Sequence, residues 1–144
     1  MACKEDLAVL KHLRKDARIT KTAIGDKLNM PISSVQGRFA RLKGSVIKKF
    51  TSSLDYTKLG FKFRSLYHFS LKKKSGEMLA NPNVNNAYRT GKNTFLAECI
   101  FSSLNEMHSF YESLEKLGAR KIEYHLIIEE LKFEEMPPYT HGQI

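Results

Sequence analysis

Residues 16–61 read DARITKTAIGDKLNMPISSVQGRFARLKGSVIKKFTSSLDYTKLGF, and two short helical patterns separated by a breaker decide the reading of the chain. Thr20 stands where its hydroxyl can accept a bond from an orphan backbone N–H, capping a helix whose inward residues are Ile24 and Leu28. Gly25 lies between them, small enough to let another helix approach closely. Asn29-Met30-Pro31 ends that helix, because proline disfavours helical geometry in the residue before it. From Ile32 to Lys43 the spacing predicts a second helix, with Val35, Phe39 and Leu42 as its i, i+4, i+7 apolar stripe. Upstream, Leu7, Leu10 and Leu13, with Val9 alongside, recur at helical spacing between Asp6 and Lys15 and predict a first helix with a basic outer face.

A short helix, a tight turn and another short helix with a polar outer face suit entry into the major groove of DNA. Such a helix presents hydroxyls and amides to base edges and phosphates, and arginine to the guanine acceptors. Ser33, Ser34, Gln36, Arg38 and Arg41 lie off the apolar stripe, and Gln36, Arg38 and Ser33 lead the candidates for base contact. Arg38 and Arg41 fit a phosphate role equally well, since most contacts in such interfaces go to the backbone; Arg38 also fits a carboxylate within the domain. Thr20 and Lys21, at the start of the preceding helix, join the candidate DNA-contacting set. Gly44-Ser45 is expected to end the recognition helix, and the β-formers of Val46–Leu54 predict a wing whose Lys48 and Lys49 meet phosphates.

Charge supports this division. The formal net charge is +9, and residues 1–58 hold 13 Lys/Arg against 5 Asp/Glu, while residues 59–144 hold 11 against 10. The basic surplus belongs to the first half, as expected of a polyanion-binding domain joined to one with another job. The apolar fraction of 42% and charged fraction of 27% are those of a chain that buries a core. The apolar runs are too short to span a bilayer, and the N-terminus mixes acids with bases, so the expectation is a cytoplasmic, nucleoid-associated protein without a membrane partner. Cys3 and Cys99 form neither a metal quartet nor a disulfide framework; Cys99 reads as a small buried hydrophobe, and neither a metal nor a cofactor is expected.

The stretch quoted above resembles the DNA-binding domain of the Lrp/AsnC family, the feast/famine regulators of bacteria and archaea, and the likeness runs through almost the whole chain. Asp16, Arg18 and Ile19 match the family's D-x-R-I/V entry to the second helix. Val35, Arg38, Phe39 and Leu42 match its recognition helix, Val46-Ile47 its wing, and Leu59-Gly60 the step into the second domain. Three departures stand out: Pro31 replaces the usual capping Ser, Gly37 a frequent Arg, and the bend at Gly44-Ser45 is one residue short. The resemblance implies a transcription regulator that binds double-stranded DNA as a dimer or higher oligomer, with amino-acid control. Its effector turn would correspond to Thr90-Gly91-Lys92-Asn93-Thr94, with Thr94 where the family has an acid.

The second half predicts an α+β domain of ferredoxin-like order βαββαβ. The expected elements are a strand over 61–71, a short helix over 76–80, strands over 84–89 and 94–101, a helix over 104–117 and a strand over 119–131. Residues 1–53 are read as the winged helix-turn-helix domain, 54–60 as a linker, 61–131 as the dimerisation and effector domain and 132–144 as an irregular tail. Leu66, Leu96, Ile100 and Ile127 fall on the sheet face that this domain's helices leave bare, and a second copy of the same sheet is the simplest cover, giving a two-fold homodimer.

Other classes fit less of the sequence. The histidines, Cys99 and the glutamates make no recognised catalytic spacing, and His108 with Glu112 reads as an exposed helix pair. Residues 84–89, VNNAYR, resemble a V-x-H-x-Y motif of siroheme decarboxylase subunits, but Asn86 replaces the histidine. An RNA-binding sheet would need Phe95 and Phe101 on its bare face, whereas alternation puts them with the helices. An architectural DNA-binding protein of low specificity stays open beside the regulator.

Overall fold

The computed structural model describes residues 3–134. The chain divides into two compact units: one runs to Ser53 and resumes at Lys132, and the other is Leu54–Leu131. The expected linker 54–60 belongs to the second unit, where the Tyr56 ring meets Phe61 edge-on and its hydroxyl donates to Asn85 Oδ1 at 3.2 Å. Of the expected tail, Glu134 falls in the first unit and pairs with Arg14 at 3.2 Å; residues 135–144 lie outside the described residues.

The first unit holds α1 (Lys4–Lys15), α2 (Lys21–Leu28) and α3 (Ile32–Ser45). Thr20 caps α2 as expected, its Oγ1 accepting from Ala23 N at 3.1 Å, and Asn29 closes that helix in the left-handed region. Gly25 is required by packing: a Cβ there would stand 2.8 Å from the Met30 carbonyl oxygen, with Val35 and Ile32 of α3 just beyond. The buried stripe of α1 is Asp6, Val9 and Leu13, so a carboxylate occupies a position that the leucine pattern alone would assign to an apolar residue. Val9, Leu13, Ile24, Val35 and Leu42 form the core.

Two expectations about α3 are corrected. The helix does not end at Lys43 but runs through Gly44 to Ser45, whose hydroxyl donates to the Arg41 carbonyl at 2.8 Å, while Val46 and Ile47 N–H close on Leu42. Residues 46–53 form no strand, because extended backbone needs a partner ladder and none pairs with it among the described residues. Phe50 instead stacks on Phe39 of α3, ring centroids 5.9 Å apart.

The second unit is an antiparallel sheet with two helices on one face. Its elements are β1 (Phe63–Ser70), α4 (Ser75–Leu79), β2 (Val84–Arg89), β3 (Thr94–Phe101), α5 (Leu104–Lys116) and β4 (Arg120–Leu126), with sheet order β2-β3-β1-β4. Tyr67 and Phe69 of β1, with Phe95, Ala97, Cys99 and Phe101 of β3, face Met107, Phe110 and Leu114 of α5. Phe95 and Phe101 are thus buried under the helices, as the alternation requires. Burial pushes the Cys99 thiol up to about 12 and leaves it an inert core residue. The last strand is shorter than expected: Ile127 N–H still reaches Arg64 O at 2.8 Å, but β1 offers no further ladder, and residues 127–131 carry no strand.

Candidate nucleic-acid interface

On α3 the candidate residues separate into two sets. Ser33, Gln36 and Gly37 are exposed and Ser34 is half-buried, so the first turns of the helix present a hydroxyl and an amide to solvent. Arg38 and Arg41 do not join them, which corrects the reading of Arg38 as a leading base contact. Arg38 Nη1 donates to Asp6 Oδ1 at 2.9 Å and lies 2.9 Å from Cys3 Sγ, with only 22% of its side chain exposed. Arg41 Nη2 donates to the same Asp6 oxygen, though 60% of its side chain is exposed. Glu5 stands 3.7 Å from Arg38, and Cys3 N–H donates to the other Asp6 oxygen at 3.0 Å.

This cluster fixes the recognition helix against α1. Burial alone would raise the Asp6 pKa, but the Cys3 N–H, the Arg38 guanidinium, the Cys3 thiol and Arg41 outweigh it and hold the carboxyl well below its usual range. Asp6 therefore stays ionised and grips two turns of α3 at once. A carboxylate at i beside Val9 and Leu13 at i+3 and i+7, facing arginines spaced i, i+3 on another helix, is the sequence signal that could have revealed it.

The other candidates sit around that helix. The Thr20 hydroxyl is engaged in the α2 cap; Lys21 is exposed, with its Nζ 5.0 Å from the Phe39 ring centroid, and Lys48 and Lys49 are exposed on the segment after α3. In the second unit, Thr90–Thr94 make a self-contained turn: Thr90 N–H bonds Thr94 O at 2.9 Å and Arg89 Nη1 bonds Lys92 O at 2.9 Å. From the neighbouring β1 strand, Leu71 N–H also reaches Asn93 O at 2.7 Å. An open groove of about 480 Å³ between α5 and β4, lined by Tyr67, Met107, His108, Tyr111 and Tyr124 among others, does not include that turn.

Leu66, Leu96 and Ile127 are half-buried on the sheet's bare face and Ile100 is 6% exposed. Sequence reasoning missed the polar centre of that face. Glu98 is buried there; it accepts from Arg64 Nε at 2.6 Å and from Asn86 Nδ2 at 3.1 Å, and Arg64 also pairs with Glu130. Burial would raise the Glu98 pKa, but Arg64 and Asn86 prevail and lower it. Asn86, which stands where the decarboxylase motif has histidine, is thus tied to Glu98. His108 and Glu112 form an exposed pair at 3.3 Å. Among the described residues, no group of three or more His, Cys, Asp or Glu could hold a metal ion, and no helix is long and apolar enough to cross a membrane.

Three packed helices with an outward polar recognition face, followed by an antiparallel α+β unit, define a helix-turn-helix DNA-binding protein with an added α+β domain. A family model described as winged helix-turn-helix DNA-binding matches residues 6–44. The HTH-type transcriptional regulator LrpA of Bacillus subtilis is 25% identical over 125 residues, covering 81% of this chain and 92% of its own. A transcriptional regulator from Neisseria meningitidis, solved as a complex with L-methionine, superimposes with a TM-score of 0.85 at 16% identity, covering 96% of this chain and 97% of that one. A Pyrococcus furiosus transcriptional regulatory protein, a member of the AsnC family, gives 0.77 at 24% identity, covering 93% and 94%. Over most of its length the chain is thus similar to HTH-type transcription regulators of the Lrp and AsnC kind.

Proposed function

We propose that the chain regulates transcription by placing the N-terminal half of α3 in the major groove, where Ser33 and Gln36 read base edges and Lys21, Lys48 and Lys49 hold phosphates. The observation that carries this is the exposed Ser33–Gln36 face, held in position by the Asp6 grip on Arg38 and Arg41. In this reading both arginines position the helix, and Arg41, being the more exposed, also lies near the phosphates. Selection of bound genomic fragments by the purified protein tests it. Gln36→Ala should cost about 1–3 kcal/mol on the selected site and little on random duplex, while Lys48→Ala should weaken both equally. A protein that ignores duplex DNA at low ionic strength overturns it.

We also infer that two copies pair through the bare sheet faces, with Leu66, Leu96, Ile100 and Ile127 around the Glu98–Arg64 centre. This sets two recognition helices on one pseudo-palindromic site. An Ile100→Lys variant should sediment as a monomer; an unchanged dimer removes that face from the interface. The amino-acid role of Thr90–Thr94 rests on the family turn and on the L-methionine complex of the Neisseria relative. Repeating the selection with the common amino acids present tests it, and an affinity unmoved by any of them rejects it. The reading places the protein in the cytoplasm with the nucleoid and gives it no catalytic step.

Binding of low specificity is the second reading, and a particular observation favours it. With Arg38 and Arg41 turned to Asp6 and Gly37 bare, Ser33 and Gln36 are the main side chains left to read bases. A ratio of specific to random affinity near one would select this reading.

A further inference from the structure

The second unit is nearly neutral by count, yet six cations gather at one end of its sheet. At the end of the sheet away from Phe63, where the chain enters β1, Ser70 pairs with Thr94 on one side and Arg120 on the other, and Leu71 N–H bonds Asn93 O at 2.7 Å. This brings together three connections that are far apart in sequence. Lys72, Lys73 and Lys74 follow β1, Lys92 lies in the β2–β3 turn, and Arg120 and Lys121 open β4. All six are exposed, and none makes an ion pair among the described residues. Glu106, Glu129 and Glu130 lie at the opposite end, while Glu77 of α4 and Glu115 near the end of α5 lie towards the ridge.

We infer that this basic ridge is a second DNA-contacting surface, which grips the phosphate backbone of duplex flanking the site read by the helical unit. Four strands spaced about 4.8 Å apart make a ridge roughly 14 Å wide. Over that length a duplex carries about eight phosphate charges. Cations spread along a line on separate turns match that row, whereas a compact anion would need donors converging on one point. Phe69 and Phe95, the rings of β1 and β3 at this end, are buried beneath the sheet and not offered to single-stranded bases, which favours duplex over single strand. Contacts of this kind add affinity and salt dependence without reading sequence.

The inference rests on the helical unit binding duplex, and the test separates the two. The full chain is titrated with a duplex just long enough for the selected site and with one several turns longer, each over a range of salt. The wild-type chain should bind the longer duplex with a salt slope steeper by about 2–4, one unit for roughly each added phosphate. In a ridge variant, Lys72→Gln, Lys73→Gln and Lys92→Gln are combined with Lys74→Asn and Lys121→Asn, because Lys74 and Lys121 sit at φ 64° and 53°, where asparagine is tolerated. That variant should lose tenfold or more on the longer duplex and nothing on the shorter. Gln36→Ala instead loses discrimination at both lengths, which marks a failure or success of the helical unit alone. Equal wild-type slopes on the two duplexes overturn the ridge, as does an equal loss by the ridge variant at both lengths. An acidic polypeptide or single-stranded RNA that occupies the ridge in preference to duplex also overturns it.

Discussion

The helical unit and the sheet unit each bury one carboxylate against arginine, but on cores of different size. Among the described residues the helical core is Val9, Leu13, Ile24, Val35 and Leu42, whereas the sheet unit's cluster holds twelve buried residues, with three aromatic rings in mutual contact around Phe110. A unit of about fifty residues buries a smaller share of its surface than a larger one, so an ion cluster weighs more in its stability. The arithmetic of charge also differs. Asp6 and Glu5 together balance Arg38 and Arg41, leaving the cluster beside α3 neutral; Arg64 holds Glu98 and Glu130, leaving a negative centre on the bare sheet face. The same device ties α3 to α1 in one unit and forms the centre of the bare sheet face in the other.

Truncating a leucine in each core should separate the units most clearly. Leu42→Ala and Leu114→Ala should each cost about 2–5 kcal/mol. Amide hydrogen exchange should then quicken mainly over α1–α3 for the first and over the sheet for the second. Acceleration spread evenly over the chain in both variants would mean that the two units unfold as one.

Smaller effects test the clamps. Gly25→Val puts side-chain atoms where a Cβ already meets the Met30 backbone at 2.8 Å, and should lower the urea midpoint by an amount equivalent to about 1–3 kcal/mol. An unchanged midpoint would mean that the α2–α3 turn yields. Asp6→Ala should cost a similar amount, about 1–3 kcal/mol, by leaving the half-buried Arg38 without its acceptor. Arg64→Ala should cost less, because Asn85 and Asn86 still donate to Glu98. The reverse order would make the sheet's ion pair the more important of the two.

Acid gives the mildest test. Both carboxyls titrate lower in the folded chain than their ordinary values of 3.8 for Asp6 and 4.5 for Glu98. Their stabilisation is therefore complete above those values and is lost as pH falls through the lower folded ones. Below about pH 4 the helical unit should open first, followed by amide signals of α1 and α3, and Asp6→Asn should flatten that dependence. Loss of the sheet signals first would reverse the comparison.

Much of this organisation was legible in the chain itself. The capped α2, the Gly25 close approach, the order of sheet elements and the burial of Phe95, Cys99 and Phe101 follow from periodicity of 3.6 or 2 and from single-residue steric rules, which act over a few residues. The ends of α3 and β4 did not follow, because a helix stops where its last carbonyls find partners and a strand where its neighbour ends. The β-forming residues 46–53 illustrate the same limit: propensity is local, but a ladder needs a second backbone.

Sequence alone determined which residues turn inward, the helix-turn-helix pattern and the likeness to Lrp/AsnC regulators. Only the tertiary structure decided what the charges do. It drew Arg38 and Arg41 to Asp6 from more than thirty residues away, set Glu98 on Arg64, and gathered lysines from three connections into one ridge. The physical reason is that Coulomb energy depends on separation in space and on exposure to water, and neither is encoded by neighbours along the chain.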